Sequence, residues 1–301
     1  MRYYQFLFRG RVNVGVETVD DTLVNLTAIN PQIASTLDLL KAGSILGADI
    51  DTVARKLIDV GVTTPMSVSD LLDPSDPERQ DVRLLPPVNS PEVWACGVTY
   101  MDSMRERQLE SGTPDVYGKV YEADRPETFF KATWDRVQPP FGEVGIRGDS
   151  RWDVPEPELT FVLFQGRIIG YTAGNDMSSR TIEGENPLYL PQAKVYDKSA
   201  AFGPCLATLE TVGNPQDLDV TLTIRRGGRE AFKGMTNTSK MKRDCNDLAN
   251  WLQKSNSVPD GTAVMTGTGV IPPQSFTLQD DDVIEVEIEK IGKLVNTVVT
   301  V

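Results

Sequence analysis

Histidine is absent from this chain, since none of the 301 residues is His. Histidine is the commonest metal ligand and the usual general acid or base near neutral pH. Its absence excludes imidazole metal sites and imidazole-based catalytic dyads. Any chemistry must use carboxylates, lysine, tyrosine or metal-bound water.

Cysteine and long apolar runs are also scarce. The three cysteines, Cys96, Cys205 and Cys245, are odd in number and far apart, which favours reduced structural thiols in a cytoplasmic protein. No apolar run approaches the length of a membrane span, and the apolar stretch at the N-terminus is too short for a secretory signal. The sequence therefore predicts neither export nor a membrane anchor.

Positive charge is in deficit. Thirty Lys and Arg residues stand against 43 Asp and Glu residues, giving a net charge of -13 and a pI of about 4.6. Such a charge excludes nucleic acid and anionic membrane as favourable partners and leaves a small molecule as the expected ligand. A bound divalent cation would supply local positive charge if that ligand is an anion.

Turn and breaker residues divide the chain. Residues 1–30 alternate apolar and polar side chains like short strands, and residues 33–58 carry apolar positions at helical spacing. Residues 73–87 are dense in Asp and Pro, which suits a linker. We therefore predict a small α+β N-terminal domain over residues 1–88 and a larger domain over residues 89–301.

The larger domain is expected to be mostly β. One helix is predicted over residues 241–252, while residues 103–125 are polar with weak periodicity and are predicted to form a mobile lid or loop. The predicted strands cover residues 92–97, 159–164, 167–171, 220–224, 262–266 and 283–288.

Three carboxylates are candidate metal ligands. Glu156 and Glu158 lie two residues apart before an apolar run, so extended backbone places both on one face. A hairpin turn at Gln165-Gly166 would bring Asp176 back towards them. A hard cation needs several such oxygens. Spacing alone also fits solvated glutamates at a strand edge.

Three motifs in order carry a family resemblance. They are Glu156-x-Glu158-Leu159, then a Gly-Tyr-x-x-x-Asn-Asp-x-Ser-x-Arg run over residues 170–180, then Thr266-Gly267-Thr268-Gly269. Together they resemble the fumarylacetoacetate hydrolase superfamily over roughly residues 90–301, with residues 1–88 as a variable lobe. The resemblance implies a mixed, β-rich fold, a fumarylacetoacetate-hydrolase-like β-roll, in a homodimer or higher homo-oligomer.

The resemblance also implies the metal site and a catalytic lysine. Glu156, Glu158 and Asp176 match the family's metal-binding carboxylates, with Mg²⁺ expected and Mn²⁺ or Ca²⁺ also open. Lys194 stands where the family has a lysine that points at the metal-bound substrate. The alternative is a surface lysine that pairs with Asp197.

The segment after residue 97 departs from the hydrolase pattern. Family hydrolases and decarboxylases carry His-x-x-Glu on the lid, and here Ser103 takes the histidine position while Glu106 keeps the second one. Without the imidazole, the water-activating dyad for carbon–carbon hydrolysis is incomplete. Residues 120–133 and 183–192 instead resemble the 2-keto-3-deoxy-sugar-acid dehydratase branch.

Further site candidates follow from that branch. Lys131 is expected near the entrance, where it would meet a substrate carboxylate, and Glu127 is a candidate acid or base. Both residues fit solvated strand positions equally well. The remaining candidate substrate-binding residues are Tyr100, Ser103, Ser178, Arg180, Thr266 and Thr268.

The predicted activity is metal-dependent dehydration of a 2-keto-3-deoxy sugar acid, such as a pentonate, to 2-oxoglutarate semialdehyde through a metal-stabilised enolate. Lys194 would take the proton, and Glu127 or Glu106 would deliver one. One alternative is an acylpyruvate or fumarylacetoacetate-type hydrolase. A second alternative is a non-enzymatic sugar-acid binding protein, since fold does not fix function.

Overall fold

A computed structural model describes residues 1–19, 21–74, 82–110 and 114–301 of the protein. These residues form a β-rich mixed fold, as predicted. Their strands are β1 (Arg2–Phe8), β2 (Arg11–Glu17), β3 (Thr22–Asn25), β4 (Met66–Ser67), β5 (Val82–Leu85), β6 (Glu92–Gly97), β7 (Glu127–Thr133), β8 (Val137–Gln138), β9 (Glu143–Ile146), β10 (Asp153–Phe164), β11 (Arg167–Ser179), β12 (Ala200–Thr208), β13 (Asp219–Arg226), β14 (Arg229–Asn237), β15 (Ala263–Met265), β16 (Val283–Ile288) and β17 (Gly292–Thr300).

The helices in the described ranges are mostly short. They are α1 (Leu26–Ile29), α2 (Thr36–Leu46), α3 (Ile50–Val60), α4 (Val68–Leu71), α5 (Met101–Glu110), α6 (Pro114–Glu122), α7 (Arg180–Glu185), α8 (Leu190–Lys194), α9 (Leu209–Val212) and α10 (Cys245–Gln253), with 3-10 turns at Trp134–Arg136, Pro187–Tyr189 and Thr238–Lys240. None of the helices in the described part of the chain is long and apolar enough to cross a bilayer.

The strands of the described residues form two sheets. The larger, of twelve strands, runs β4-β3-β2-β1-β12-β11-β10-β15-β6-β7, with β5 on β1 and β8 on β12. The smaller runs β14-β13-β16-β17-β9. The main core cluster lies where apolar side chains of both sheets meet, as with Phe161 and Ala173 against Leu222 and Val286. Burial of this surface is the dominant favourable term in folding.

The N-terminal strands share a sheet with strands of the larger predicted domain, since β1 pairs with β12 at Arg2↔Ala207 and Tyr3↔Leu206. Helices α2 and α3 lie in and just beyond the segment of residues 33–58, whose apolar positions predict helical structure. The domain boundary near residue 88 is a prediction from the composition of the sequence alone.

One local prediction is wrong, and one predicted helix is confirmed with a later start. Residues 103–125 were expected to form a lid or loop, yet the described residues there fold into helices α5 and α6, whose aromatic and apolar side chains pack around Tyr117 and Tyr121. The predicted helix over 241–252 begins later, at Cys245, because the Asp244 side chain accepts from the Asp247 backbone N–H and caps it.

The β10–β11 hairpin positions the site. Strand β10 is buried along its whole length, and Gln165 and Gly166 adopt positive φ angles of 49° and 73°, the geometry of a tight two-residue turn. Phe164 pairs with Arg167 across it. The hairpin predicted from the sequence is confirmed.

Candidate active site

The three predicted carboxylates converge. Register along the hairpin pairs Glu156 with Asp176 and Glu158 with Gly174, so all three side chains emerge from one face. One ligand oxygen from each lies within 4.8 Å of the others. Their exposed fractions are only 5%, 1% and 1% for Glu156, Glu158 and Asp176, which rejects the reading of solvated strand-edge glutamates.

The electrostatics of this triad fit a hard divalent cation. Burial, together with the charges of Asp176 and Glu156, raises the pKa of Glu158 well above its usual range. Its Oε2 accepts one hydrogen bond, from the Gly267 backbone N–H at 2.6 Å. Three converging carboxylates without histidine or thiolate form an oxygen-only ligand set, which Mg²⁺, Mn²⁺ and Ca²⁺ prefer.

Lys194 ends α8 and reaches into the triad. Its Nζ donates to Glu156 Oε2 at 2.7 Å, Asp176 Oδ2 at 2.9 Å and Ser178 Oγ at 2.5 Å. The side chain is buried, so the alternative of a surface lysine that pairs with Asp197 is wrong. Ser178, a predicted substrate-binding residue, instead contacts this lysine.

Glu156 is the most strongly paired carboxylate of the site. Its Oε1 accepts from Arg107 at 2.9 Å and from Arg180 at 3.0 Å. Burial by itself raises the pKa of Glu156, but Lys194, Arg107 and Arg180 together hold that pKa well below its usual range. Arg180, predicted to bind substrate, is buried outside the cavity lining and holds the Glu156 carboxylate.

Lys131 lies elsewhere than expected. Its side chain is 0% exposed, and its Nζ lies 2.6 Å from Asp176 Oδ1. It also donates to the carbonyls of Met177, at 2.9 Å, and of Lys194. Burial lowers the pKa of Lys131, while Asp176 acts in the opposite direction. The predicted place at the entrance is wrong, because this lysine joins β7 to Asp176 and α8 from inside.

Glu127 faces the cavity from the first residue of β7. It pairs with Gly97 of β6, where a Cβ atom would overlap the Glu127 carboxylate, so the glycine makes room for it. The side chain is half-buried and opens to the cavity that it lines. Burial raises the pKa of Glu127, although Arg107 and Lys194 act against this shift. Glu127 is therefore suited to hold a proton, unlike a solvated strand glutamate.

Of the candidate residues in and just before α5, only some line the cavity. Ser103 is buried and lines the cavity, one helical turn before Arg107. Glu106, on the same helix, is half-buried and does not line it. Tyr100 is buried beside Gly269 and lies outside the cavity lining. Its position favours packing of the loop that carries Gly269.

The turn after β15 serves structure as well as the cavity. The Thr266 hydroxyl donates to the Leu159 carbonyl at 2.8 Å, which ties the turn to β10. Thr268 lines the cavity, and its hydroxyl is 3.1 Å from both the carbonyl and the amide nitrogen of Val270. The role in holding Glu158 belongs to the Gly267 amide, which sequence reasoning missed.

Arg107 and Glu183 are also missed site residues. Arg107, on α5, forms an ion pair with Glu183, on α7, and both side chains are buried and line the cavity. The signal was present in the sequence, because Ser103 and Arg107 are four residues apart and share a face once that segment is helical. A segment predicted as a loop has no such shared face, so the loop prediction gives no sign of Arg107 as a site residue.

Comparisons with known proteins agree with this geometry. Residues 165–299 match the family model described as fumarylacetoacetate (FAA) hydrolase, C-terminal. The chain is 44% identical over 301 residues, 100% of both chains, to a protein of Haloferax volcanii named probable 2-keto-3-deoxyxylonate dehydratase. It is 44% identical over 224 residues, 72% of this chain and 75% of the relative, to 2-dehydro-3-deoxy-D-arabinonate dehydratase of Saccharolobus solfataricus.

Solved structures of similar proteins agree with these sequence comparisons. A 2-keto-3-deoxy-D-arabinonate dehydratase complexed with magnesium and 2,5-dioxopentanoate superimposes with a TM-score of 0.83 at 33% identity, covering 100% of this chain and 99% of that one. A fumarylacetoacetate hydrolase from Exiguobacterium antarcticum shares the fold with a TM-score of 0.71 at 24% identity, covering 100% of both chains. The chain therefore belongs to the fumarylacetoacetate hydrolase superfamily.

Proposed function

We propose that the protein dehydrates a 2-keto-3-deoxy-pentonate to 2-oxoglutarate semialdehyde, with Mg²⁺ held by Glu156, Glu158 and Asp176. The observation that carries this proposal is the buried oxygen-only triad with Lys194 directly against it. The similar dehydratase that is complexed with magnesium and 2,5-dioxopentanoate supports both the ion and the product class.

Each group of the site has a part in the elimination. A bound divalent cation would supply positive charge that stabilises the negative charge developing on the ketone oxygen of a 2-oxo acid. Lys194 is the proposed base for the proton on C3, beside the ketone. Lys131 and Arg180 hold the carboxylates Asp176 and Glu156 in place, so the geometry is set before the substrate arrives.

Glu127 is the proposed proton donor. Loss of the C4 hydroxyl as water needs one proton on the leaving oxygen, and a carboxyl with a raised pKa supplies it. Loss of H from C3 and OH from C4 leaves a C3–C4 double bond. Moving a proton from C5 to C3 gives an enol, which becomes the aldehyde when C4 is protonated. Glu127, now ionised, is available as the base for the C5 proton.

Replacing Glu127 with Gln should stabilise the fold and remove catalysis. Because burial raises the pKa of Glu127, the folded state holds this proton more tightly than the unfolded chain does. Ionisation therefore costs stability as pH rises above the ordinary pKa of glutamate. The variant should melt above the parent protein at about pH 8 and together with it at about pH 4, while kcat falls about 10²- to 10⁴-fold.

Thermal unfolding across this pH range, combined with steady-state rates, checks the prediction. Glu230→Gln is the matched control, because Glu230 is exposed on β14. A Glu127→Gln protein that melts below the parent at about pH 8 would show that the carboxylate is ionised and stabilising. Such a result would remove it as the acid.

A product assay tests the function itself. The magnesium-loaded protein should release an aldehyde from 2-keto-3-deoxy-pentonates, and a chelator should abolish this release. Pyruvate release from acylpyruvates would favour the hydrolase alternative, although the lid dyad for hydrolysis lacks its histidine at Ser103. Inactivity on both substrate classes would favour a binding protein.

We also propose a homo-oligomeric assembly and a cytoplasmic location. Large apolar side chains are exposed beside cavity-lining segments, with exposed fractions of 85% for Leu188, 42% for Tyr189 and 36% for Trp134, and such exposure favours a homo-oligomer. Light scattering tests it, and a monomeric mass would contradict it. The three cysteines are buried and free, which supports a cytoplasmic location.

A further inference from the structure

The cavity contains a buried ion pair that the reaction described above does not use. Arg107 on α5 contacts Glu183 on α7, with side-chain exposed fractions of 8% and 6%. Both residues line the same cavity as Lys194 and Glu127. Taking two charges out of water is costly, so a buried ion pair by itself contributes little stability. Its place in the cavity calls for another role.

The position of the pair relative to the metal ligands is fixed by one guanidinium group. Arg107 Nη2 donates to Glu156 Oε1 at 2.9 Å, while Nη1 of the same group contacts Glu183. Glu183 therefore lies one guanidinium width from a metal ligand. A small 2-oxo acid with its ketone at the metal would extend its far end into this part of the cavity.

The chemistry at this end suits hydroxyl groups. A carboxylate accepts hydrogen bonds from hydroxyls, and a guanidinium donates to their oxygens. In the described part of the chain, Glu183 has one charged partner, Arg107, which contacts its Oε2, and no hydrogen bond to the second oxygen, Oε1, is found there. The same cavity is also lined by the apolar surfaces of Val98, Tyr117 and Leu190, and surroundings of low polarity strengthen such contacts.

We propose that Arg107 and Glu183 form the subsite for the hydroxyl-bearing end of the substrate and thereby determine specificity. Glu183 accepts from the substrate hydroxyls, and Arg107 orients Glu183 and donates to the hydroxyl oxygens. This inference rests on the proposed function, because it places the 2-oxo acid group at the metal. It adds that the cavity selects sugar acids over plain 2-oxo acids of equal length.

Binding of two unreactive ligands to the magnesium-loaded protein tests the proposal. 5-Hydroxy-2-oxopentanoate has the terminal hydroxyl but no C4 leaving group, and 2-oxopentanoate has neither. Calorimetry should show that the parent protein prefers the hydroxylated ligand by about 10-fold or more, the value of a hydrogen bond to a charged group. Glu183→Met should remove this preference and leave 2-oxopentanoate affinity nearly unchanged.

Two further variants keep the test decisive. Glu185→Gln, on the same helix but exposed, should behave as the parent. Arg107→Met combined with Glu183→Met removes both buried charges together, so it stays folded if the single variant does not, and it should also lose the preference. An equal weakening of both ligands, or no preference in the parent, would overturn the subsite.

The outcomes separate this inference from the proposed function. If the preference for the hydroxylated ligand depends on Glu183 but the product assay gives no aldehyde, the proposed dehydratase function is wrong and the subsite is supported. If the parent protein forms the aldehyde but the Glu183→Met variant still prefers the hydroxylated ligand, only the proposed subsite is wrong. Failure of both ligands to bind the parent protein would contradict both.

Discussion

Glu156→Gln should lower kcat/KM by at least about 10³-fold, because a ligand of the ion that stabilises several kcal/mol of developing charge is lost. Glu156 also accepts from Lys194, Arg107 and Arg180. A neutral amide compensates these three buried hydrogen-bond donors less well, so metal affinity and stability should fall together. Rates measured over a magnesium titration, with thermal unfolding beside them, check both effects.

The control for this variant is another glutamate of a strand. Glu230→Gln changes the same group at an exposed position of β14 and should leave the rate and the magnesium dependence unchanged. If Glu156→Gln keeps metal-dependent turnover near the parent rate, Glu156 is not a ligand. The assignment of the metal to the triad would then be wrong.

Lys194→Met should retain the metal and lose the rate. The amine is the proposed base for the C3 proton, and removal of a positioned acid or base costs about 10²- to 10⁴-fold in kcat. Methionine keeps an unbranched side chain of similar length, so the buried site stays filled. Its loss should lower kcat more than it raises KM, since the ligand carboxylates remain.

Deuterium exchange gives a second readout for Lys194. The parent protein should exchange the C3 protons of 2-oxopentanoate with solvent, because no leaving group is needed for that step, and Lys194→Met should not. Lys233→Met, at an exposed position of β14, is the control. Parent-like exchange in Lys194→Met would show that another group is the base.

The convergence of the three carboxylates could be predicted because it depends on local geometry. Period-two alternation places Glu156 and Glu158 on one face, and the Gln165-Gly166 turn sets the register that brings Asp176 opposite Glu156. Lys194 came from the family resemblance, since the return of α8 to the triad is a long-range contact that no local pattern encodes.

The errors arose where tertiary contacts decide the outcome. Helices α5 and α6 are stabilised by their mutual packing around Tyr117 and Tyr121, so a polar segment with weak periodicity was read as a loop. The family resemblance puts Lys131 at the entrance, and burial of a lysine is rare. Here Asp176 and two backbone carbonyls compensate its charge, and such partners cannot be read from spacing.

Anomalous diffraction from crystals of the manganese-loaded protein tests the central claim most directly. We predict one strong peak between the β10 and β11 carboxylates, with oxygens of Glu156, Glu158 and Asp176 at about 2.0 to 2.4 Å, the range for divalent cations bound by oxygen. A peak elsewhere, or none between these three side chains at saturating manganese, would contradict the account.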